Sequence, residues 1–246
     1  VLRHTPKLSV KKLVAAAKAQ DTSLNALTLA AVTLVLARRA GVAETVDARE
    51  VAVRISVDVR PYFDPPRPNA FGNFVASFMV RSTRFSDTAA LLADVGAQLK
   101  EGVRRFKDHE RGFGLLLDEI GTWIGLRLYS VVARRLKTRG KLTPMSAHYS
   151  TVGSVDFFAR HDVGLCEFAG FAPNTGLFVT SVSFRDELRM GIIYPAGGLT
   201  TAEVKTLAVE LEDALAELGQ TPATAAVAAT VSDMAPRPAP AVALSA

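Results

Sequence analysis

The sequence predicts an α/β fold of the layered α+β kind, a mixed β-sheet flanked by helices, and three observations carry that expectation. Residues 51–60 alternate without a break: Val51, Val53, Ile55, Val57 and Val59 point one way and Ala52, Arg54, Ser56, Asp58 and Arg60 the other. Such a period of two is the signature of a strand with one core face. Residues 176–184 and 188–194 are two apolar runs joined by Arg185-Asp186-Glu187, the pattern of a β-hairpin. Between and around these strands lie stretches whose apolar residues recur at helical spacing, so helices must cover the sheet.

Taken in order, residues 1–7 read as a connector. Ser9 is placed to cap a helix running to about residue 20, with Leu13, Val14 and Ala17 inward. Ser23 can cap a second helix over residues 24–40, apolar nearly all round and therefore expected to be buried, with Arg38 and Arg39 favouring its C-terminus and Gly41 ending it. Pro61, Pro65, Pro66 and Pro68 lack ladder donors and force the chain out of the sheet after the first strand. Residues 71–80 read as a strand apolar on both sides, hence buried, with Gly72-Asn73 suggesting a bulge or a close backbone approach near its start.

Ser86 is expected to cap a helix to about residue 108, striped by Leu91, Leu92, Val95, Leu99, Val103 and Phe106. Residues 115–136 are again helix-like and end in a basic cluster of Arg134, Arg135, Lys137, Arg139 and Lys141, which either complements a helix C-terminus or offers a docking surface for an acidic carrier protein, a cofactor phosphate or an anionic membrane. Residues 143–158 read as extended with a turn near Gly153, and Thr200 with Glu203 forms a capping box that opens a helix striped by Val204, Leu207, Ala208, Leu211, Leu215 and Leu218. Residues 220–246 are Ala, Pro, Thr and Val with almost no charge and read as a disordered tail.

Bulk composition sets further limits. Hydrophobic residues make up 49% of the 246 and charged residues 22%, ample for a real core. The 29 basic against 24 acidic residues leave a mild excess that allows contact with phosphates, carrier proteins or anionic membranes but does not call for nucleic acid. A single cysteine, Cys166, forbids an internal disulfide and suits a reducing cytoplasm, and the four histidines, His4, His109, His148 and His161, show no metal-ligand spacing. No metal is expected.

Several segments together carry a resemblance. Val57-Asp58-Val59-Arg60-Pro61, then Pro65-Pro66-Arg67-Pro68 and Phe71-Gly72-Asn73-Phe74-Val75, is similar to the "VDxR … PP … GN" region of acyltransferases with the chloramphenicol-acetyltransferase-like fold, a superfamily that includes condensation domains, polyketide-associated acyltransferases and wax ester synthase/diacylglycerol acyltransferases. Gly72-x-Phe74-Val75 with Arg81 resembles the condensation-domain "GxFVNTxxxR" motif, with Ala76-Ser77 in place of Asn-Thr. The helix of residues 22–39 resembles the "TLNDVLLAALAxAL" helix that opens the second lobe. Ser150-Thr151-Val152-Gly153 resembles the "SNxG" strand, and the 178–194 hairpin resembles "SYxGxLxxGxxYD". These likenesses cover residues 8–219 and map to the C-terminal lobe alone, which makes residues 1–7 a connector from an N-terminal lobe.

The resemblance implies a function. In the superfamily two lobes pack side by side, and the first supplies an HHxxxDG loop whose second histidine is the general base or positions the acceptor. HHxxxDG and GxSxG do not occur among these 246 residues. The expectation is therefore the C-terminal half of an acyltransferase that moves an acyl group to an alcohol or amine. Its donor is acyl-CoA or a phosphopantetheinyl carrier protein, no cofactor is bound permanently, and the base comes from the N-terminal lobe. Arg60 aligns with the arginine that holds the Asp of HHxxxDG, a task for a planar fork rather than a point charge, and Asp58, Gly72 and Asn73 support that loop. Ser150, Thr151, Gly153 and His148 are expected to line the tunnel, and Ser181 and Ser183 to reach a developing oxyanion or the pantetheine arm. The alternative from a different class is a non-catalytic module that binds a carrier protein, lipid or partner subunit. A free-standing hydrolase lacks a nucleophile motif here.

Overall fold

A computed structural model describes residues 1–41, 50–63, 65–66, 71, 74–108, 110, 123, 125–138, 145–156, 176–195 and 197–220. In chain order the elements are β1 (Leu2–His4), α1 (Val10–Ala19), α2 (Leu24–Arg39), β2 (Val51–Asp58), a 3-10 turn (Arg60–Tyr62), β3 (Val75–Ser82), α3 (Thr88–Lys107), α4 (Leu126–Thr138), β4 (Ala147–Ser154), β5 (Phe178–Phe184), β6 (Glu187–Ile193) and α5 (Thr201–Gln220). The six strands form one sheet in the order β1-β6-β5-β4-β2-β3. β2 and β5 both run parallel to β4, whereas β2–β3, β5–β6 and β1–β6 are antiparallel. This is the mixed, helix-flanked sheet that the patterning predicts.

The core grows from α2. An all-round apolar helix can only exist buried, and Leu27, Leu29 and Leu34 are fully enclosed. It packs against α3, α5 and β2. Thr28 and Thr33 would be unpaired in so dry a place, but each hydroxyl donates to the carbonyl four residues back, of Leu24 and Leu29, at 2.9 Å. Ser23 accepts from Ala26 N–H at 3.2 Å at its N-terminus, and Gly41, at φ +65, ends it in the left-handed region. The stripe of α5 fills the neighbouring space, its capping box closed in both directions: Thr200 N–H donates to Glu203 Oε2 at 2.7 Å and Glu203 N–H to Thr200 Oγ1 at 3.2 Å.

Tyr149 of β4 is completely buried on the helix-packed side of the sheet. Its hydroxyl lies 2.8 Å from Ser181 Oγ and also meets Thr28 and Thr151. Burial pushes the phenol up from its ordinary value, opposed by those three hydroxyl partners.

Four expectations differ from the structure. β2 ends at Asp58, and Val59 and Arg60 turn out of it, because Pro61 imposes a helical φ at the start of the 3-10 turn. β3 is an edge strand rather than a buried one: Val75 is 54% exposed, Phe71 before it stands in solvent, and only Ala76, Val80 and Ser82 are buried. An apolar run cannot report which strand has neighbours on both sides. Asp87, not Ser86, caps α3, accepting from Ala89 and Ala90 N–H. Residues 2–4 of the expected connector add edge strand β1, pairing Leu2 with Ile192 and His4 with Met190. Of the helix expected over 115–136, the described part is α4, and the tail beyond residue 220 lies outside the described residues.

The β5–β6 turn is two residues long, Arg185 and Asp186, both at positive φ (50 and 65), as the twist of a tight hairpin requires. It also anchors α1. Lys11 N–H donates to Asp186 Oδ1 at 2.7 Å, Ser9 Oγ to Oδ2 at 2.8 Å, and Val10 N–H to the Asp186 carbonyl at 3.0 Å. A carboxylate at a helix N-terminus satisfies orphan donors and the helix dipole together.

Two predictions follow from these contacts. The Lys11 N–H and then the Ser9 hydroxyl hold the Asp186 carboxyl below its ordinary 3.8. The unfolded chain therefore binds this proton more tightly, so the latch stabilises fully above the ordinary value and is lost as pH falls through the lowered one. Asp186→Asn, which keeps the turn, should lower the urea midpoint at neutral pH and converge on wild type in acid. Tyr149→Phe strands the Ser181 hydroxyl in the core and should cost about 1–3 kcal/mol in urea unfolding.

Candidate functional site

The chemistry-bearing residues gather at two places, the exit of β2 and the face of the sheet opposite α2. At the exit, β2 stays paired for one step beyond its end through Val59 N–H to Phe74 O at 2.9 Å. Asp58 Oδ1 then accepts the Arg60 backbone N–H at 3.0 Å, and Oδ2 accepts from Nη1 at 3.3 Å. An aspartate bonding the backbone two residues on is a common way to make a turn, and here it also aims the arginine. The guanidinium sits 5.5 Å from the centre of the Phe74 ring, within cation–π range. With its side chain 30% exposed, Arg60 is half-buried, while Asp58 at 51% faces solvent.

Phe74 packs on this arginine, and its chain neighbours Tyr62 and Phe63 take part in further aromatic contacts, a feature that the strand patterns do not reveal. Phe63 meets Phe74 edge-on at 5.6 Å, Tyr62 stacks on Phe106 at 6.4 Å, and Phe78 tilts against Phe106 at 6.2 Å. All five rings are half-buried. Phe78 lies so close to α3 that a Cβ on Gly102 would come within 2.4 Å of its ring, so glycine is what lets the shelf close on the helix. Pro61-Tyr62-Phe63 was the available signal, but its partner Phe106 is more than forty residues away in sequence.

On the sheet face opposite α2, His148 is diagonal to Ser56, and Nε2 lies 2.8 Å from Ser56 Oγ. The imidazole stacks on Phe178, ring centres 4.6 Å apart. Burial, and then the nearby Arg54 guanidinium, lowers the His148 pKa from its ordinary 6.5. The ring is therefore neutral at pH 7, able either to accept from Ser56 or to donate to it. Ser56 was not expected at a site, because only the parallel pairing of Arg54 with His148 and Ile55 with Tyr149 brings it there.

The residues expected along a tunnel therefore divide between the two faces. Ser150 shares the face of His148 and is half-buried. Thr151, Ser181 and Ser183 follow the alternation of Tyr149 and Val179 onto the helix-packed face, and Ser181, 3% exposed and bonded to Tyr149, is part of the core. A hydroxyl enclosed there meets protein, which corrects the expectation that it reaches a substrate; strand alternation alone shows a face but not what covers it. Gly153, at φ +79, sits at a bulge where the β4–β5 register shifts after Thr151. Gly72 and Asn73 lie outside the described residues. Among the described residues no group of three or more His, Cys, Asp or Glu side chains is placed to hold a metal.

An NMR titration of His148 should give a midpoint below 6.5, and Arg54→Ala should move it upward by removing the neighbouring cation.

Comparison with known proteins places this geometry in a fold. Residues 7–107 match the model of the phthiocerol/phthiodiolone dimycocerosyl transferase C-terminus. No curated protein matches the chain. Solved structures do. The condensation domain from monacolin K polyketide synthase MokA superposes with a TM-score of 0.63 at 12% identity, over 90% of this chain and 47% of that one. A structure of the condensation domain that mediates chain release from the enacyloxin polyketide synthase gives 0.53 at 20% identity, over 93% and 42%. PapA2 acyl transferase gives 0.55 at 11% identity, over 89% and 44%. The chain thus spans less than half the length of each of these structures. Its mixed sheet, its helix layer and the match of residues 7–107 together show the fold of the chloramphenicol-acetyltransferase-like superfamily of acyltransferases and condensation domains.

Proposed function

We propose that this chain is the C-terminal lobe of an acyltransferase that moves an acyl group from a coenzyme A or carrier-protein thioester to an alcohol or amine. The match of residues 7–107 to the C-terminal part of a transferase is the observation that carries this reading. In it, an N-terminal lobe supplies HHxxxDG. Its histidine takes the proton of the acceptor hydroxyl or amine as the heteroatom attacks the thioester carbonyl, and returns that proton to the departing thiolate.

This lobe's task is then positioning. Arg60, aimed by Asp58 and steadied on Phe74, presents its guanidinium to the aspartate of the HHxxxDG loop and so holds the backbone that carries the histidine. Arginine suits the role because its fork can engage a carboxylate through two parallel bonds. The aromatic shelf beside it lies where a lobe junction would be sealed from water. Ser150, on the face of His148, and Gly153, at the β4 bulge, lie toward the junction and shape its wall.

The test is acyl transfer by the full-length natural protein, given acyl-CoA and acyl-carrier thioesters in turn. Arg60→Ala should lower kcat/KM about a hundred-fold, the usual effect of misplacing a catalytic group by an ångström. Arg60→Lys should recover only part of it, and both variants should unfold near the wild-type midpoint. Full activity of Arg60→Ala would remove Arg60 from the positioning role. Tight thioester binding by the wild type with no transfer would replace the enzyme with a module that only binds.

A further inference from the structure

Acyl transfer through an N-terminal histidine leaves Ser56 and His148 without a task. Strands β2 and β4 run in parallel with Arg54 beside His148 and Ile55 beside Tyr149, so Ser56 and His148 share the face away from α2, with Ser56 Oγ 2.8 Å from Nε2. The imidazole is held by Phe178, a buried ring 4.6 Å away and 25° from parallel. Both members of the pair are half-buried, so each keeps some contact with solvent. Arg54 completes the group. It neighbours His148 in the ladder, is exposed, and among the described residues meets no carboxylate, whereas Arg38, Arg39, Arg81 and Arg104 each lie against a glutamate.

A serine hydroxyl held against an imidazole is the arrangement that activates serine as a nucleophile. The base must be uncharged to take the proton, and burial with the neighbouring Arg54 keeps His148 neutral at pH 7. A cation beside the pair also stands where negative charge develops when a carbonyl is attacked. One exposed guanidinium stabilises less charge than a pair of enclosed donors, so the fitting substrate carries its acyl group on a good leaving group. That describes a thioester rather than an amide.

We propose that Ser56 is an acylatable nucleophile with His148 as its base, giving this chain a thioesterase activity separate from acyl transfer. The step uses the tautomer with its proton on Nδ1. His148 Nε2 takes the Ser56 proton as Oγ bonds to the thioester carbonyl carbon. The C–S bond then breaks, His148 returns the proton to the departing thiolate, and the acyl group stays on Ser56 as an ester. Water, giving a proton to the same Nε2, attacks that ester and releases the carboxylic acid, and the proton passes back to Oγ to restore the serine.

The full-length natural protein is treated with an alkyl fluorophosphonate, which bonds irreversibly to activated serines, and separately with the butyryl thioester of N-acetylcysteamine, whose released thiol is measured. Peptide mass mapping should place the phosphonyl group on Ser56. Ser56→Ala should abolish that adduct and slow thiol release, and His148→Ala should slow labelling of Ser56 about a hundred-fold, the usual loss when a general base is removed. Ser77→Ala, at the exposed serine paired with Ser56 on β3, should label as wild type does. Circular dichroism of each variant should match wild type, so that a lost adduct reports chemistry rather than unfolding. The proposal is overturned if Ser56 takes no phosphonyl group, if it labels equally fast in His148→Ala, or if Ser56→Ala releases thiol as fast as wild type. The adduct is a covalent product on Ser56 itself, so it is read independently of acyl transfer.

Discussion

The burial of α2 is the constraint on which the rest of the structure depends. An apolar helix of this kind has no face to give to water, so the sheet, α3 and α5 must all close around it. That requirement explains why the inward sides of β2, β4 and β5 are aliphatic or self-satisfied. Val53, Ile55 and Val179 pack on the helix, and where a polar atom intrudes, at Tyr149, three hydroxyls meet it. Removing any of these partners would leave a polar group in a dry space, which costs far more than the bond itself contributes. The fully buried layer thereby fixes the register of the parallel strands.

That register in turn places the chemistry. Because β2 and β4 run side by side and in parallel, Ser56 and His148 meet on the face away from α2, while Tyr149 and Ser181 meet beneath it. A slip of one residue would exchange the two sets. The same strand carries the chain to Asp58 and Arg60, where Pro61 turns it out of the sheet and Phe74 of the neighbouring strand receives the guanidinium. An arginine just beyond a strand's end, bonded to an aspartate and resting on a ring, keeps little conformational freedom.

Charge is distributed to match these roles. The α1 N-terminus is held by Asp186, the α5 N-terminus by Glu203, and the C-terminal arginines of α2 by Glu210 and Glu217 of α5. Each pairing complements a helix dipole or ties two helices of the core together.

Local patterns settled much of this protein in advance. The period of two in β2, the stripes of α3 and α5, the caps at Ser9, Ser23 and Thr200, the capping box and the hairpin at Arg185-Asp186 all depend on neighbours within a few residues. One sequence therefore contains them. Motif order was also enough to point to the superfamily fold. What the tertiary structure alone decided depends on distant partners. The edge position of β3 and the addition of β1 are properties of the sheet's order, which no single strand encodes. The meeting of His148 with Ser56, ninety-two residues apart, depends on parallel register, as does the placing of Ser181 inside rather than outside. The aromatic shelf needs α3 to bring Phe106 beside Tyr62. In each case the physical reason is the same: alternation assigns a side chain to a face, but only packing determines what lies on the other side of it.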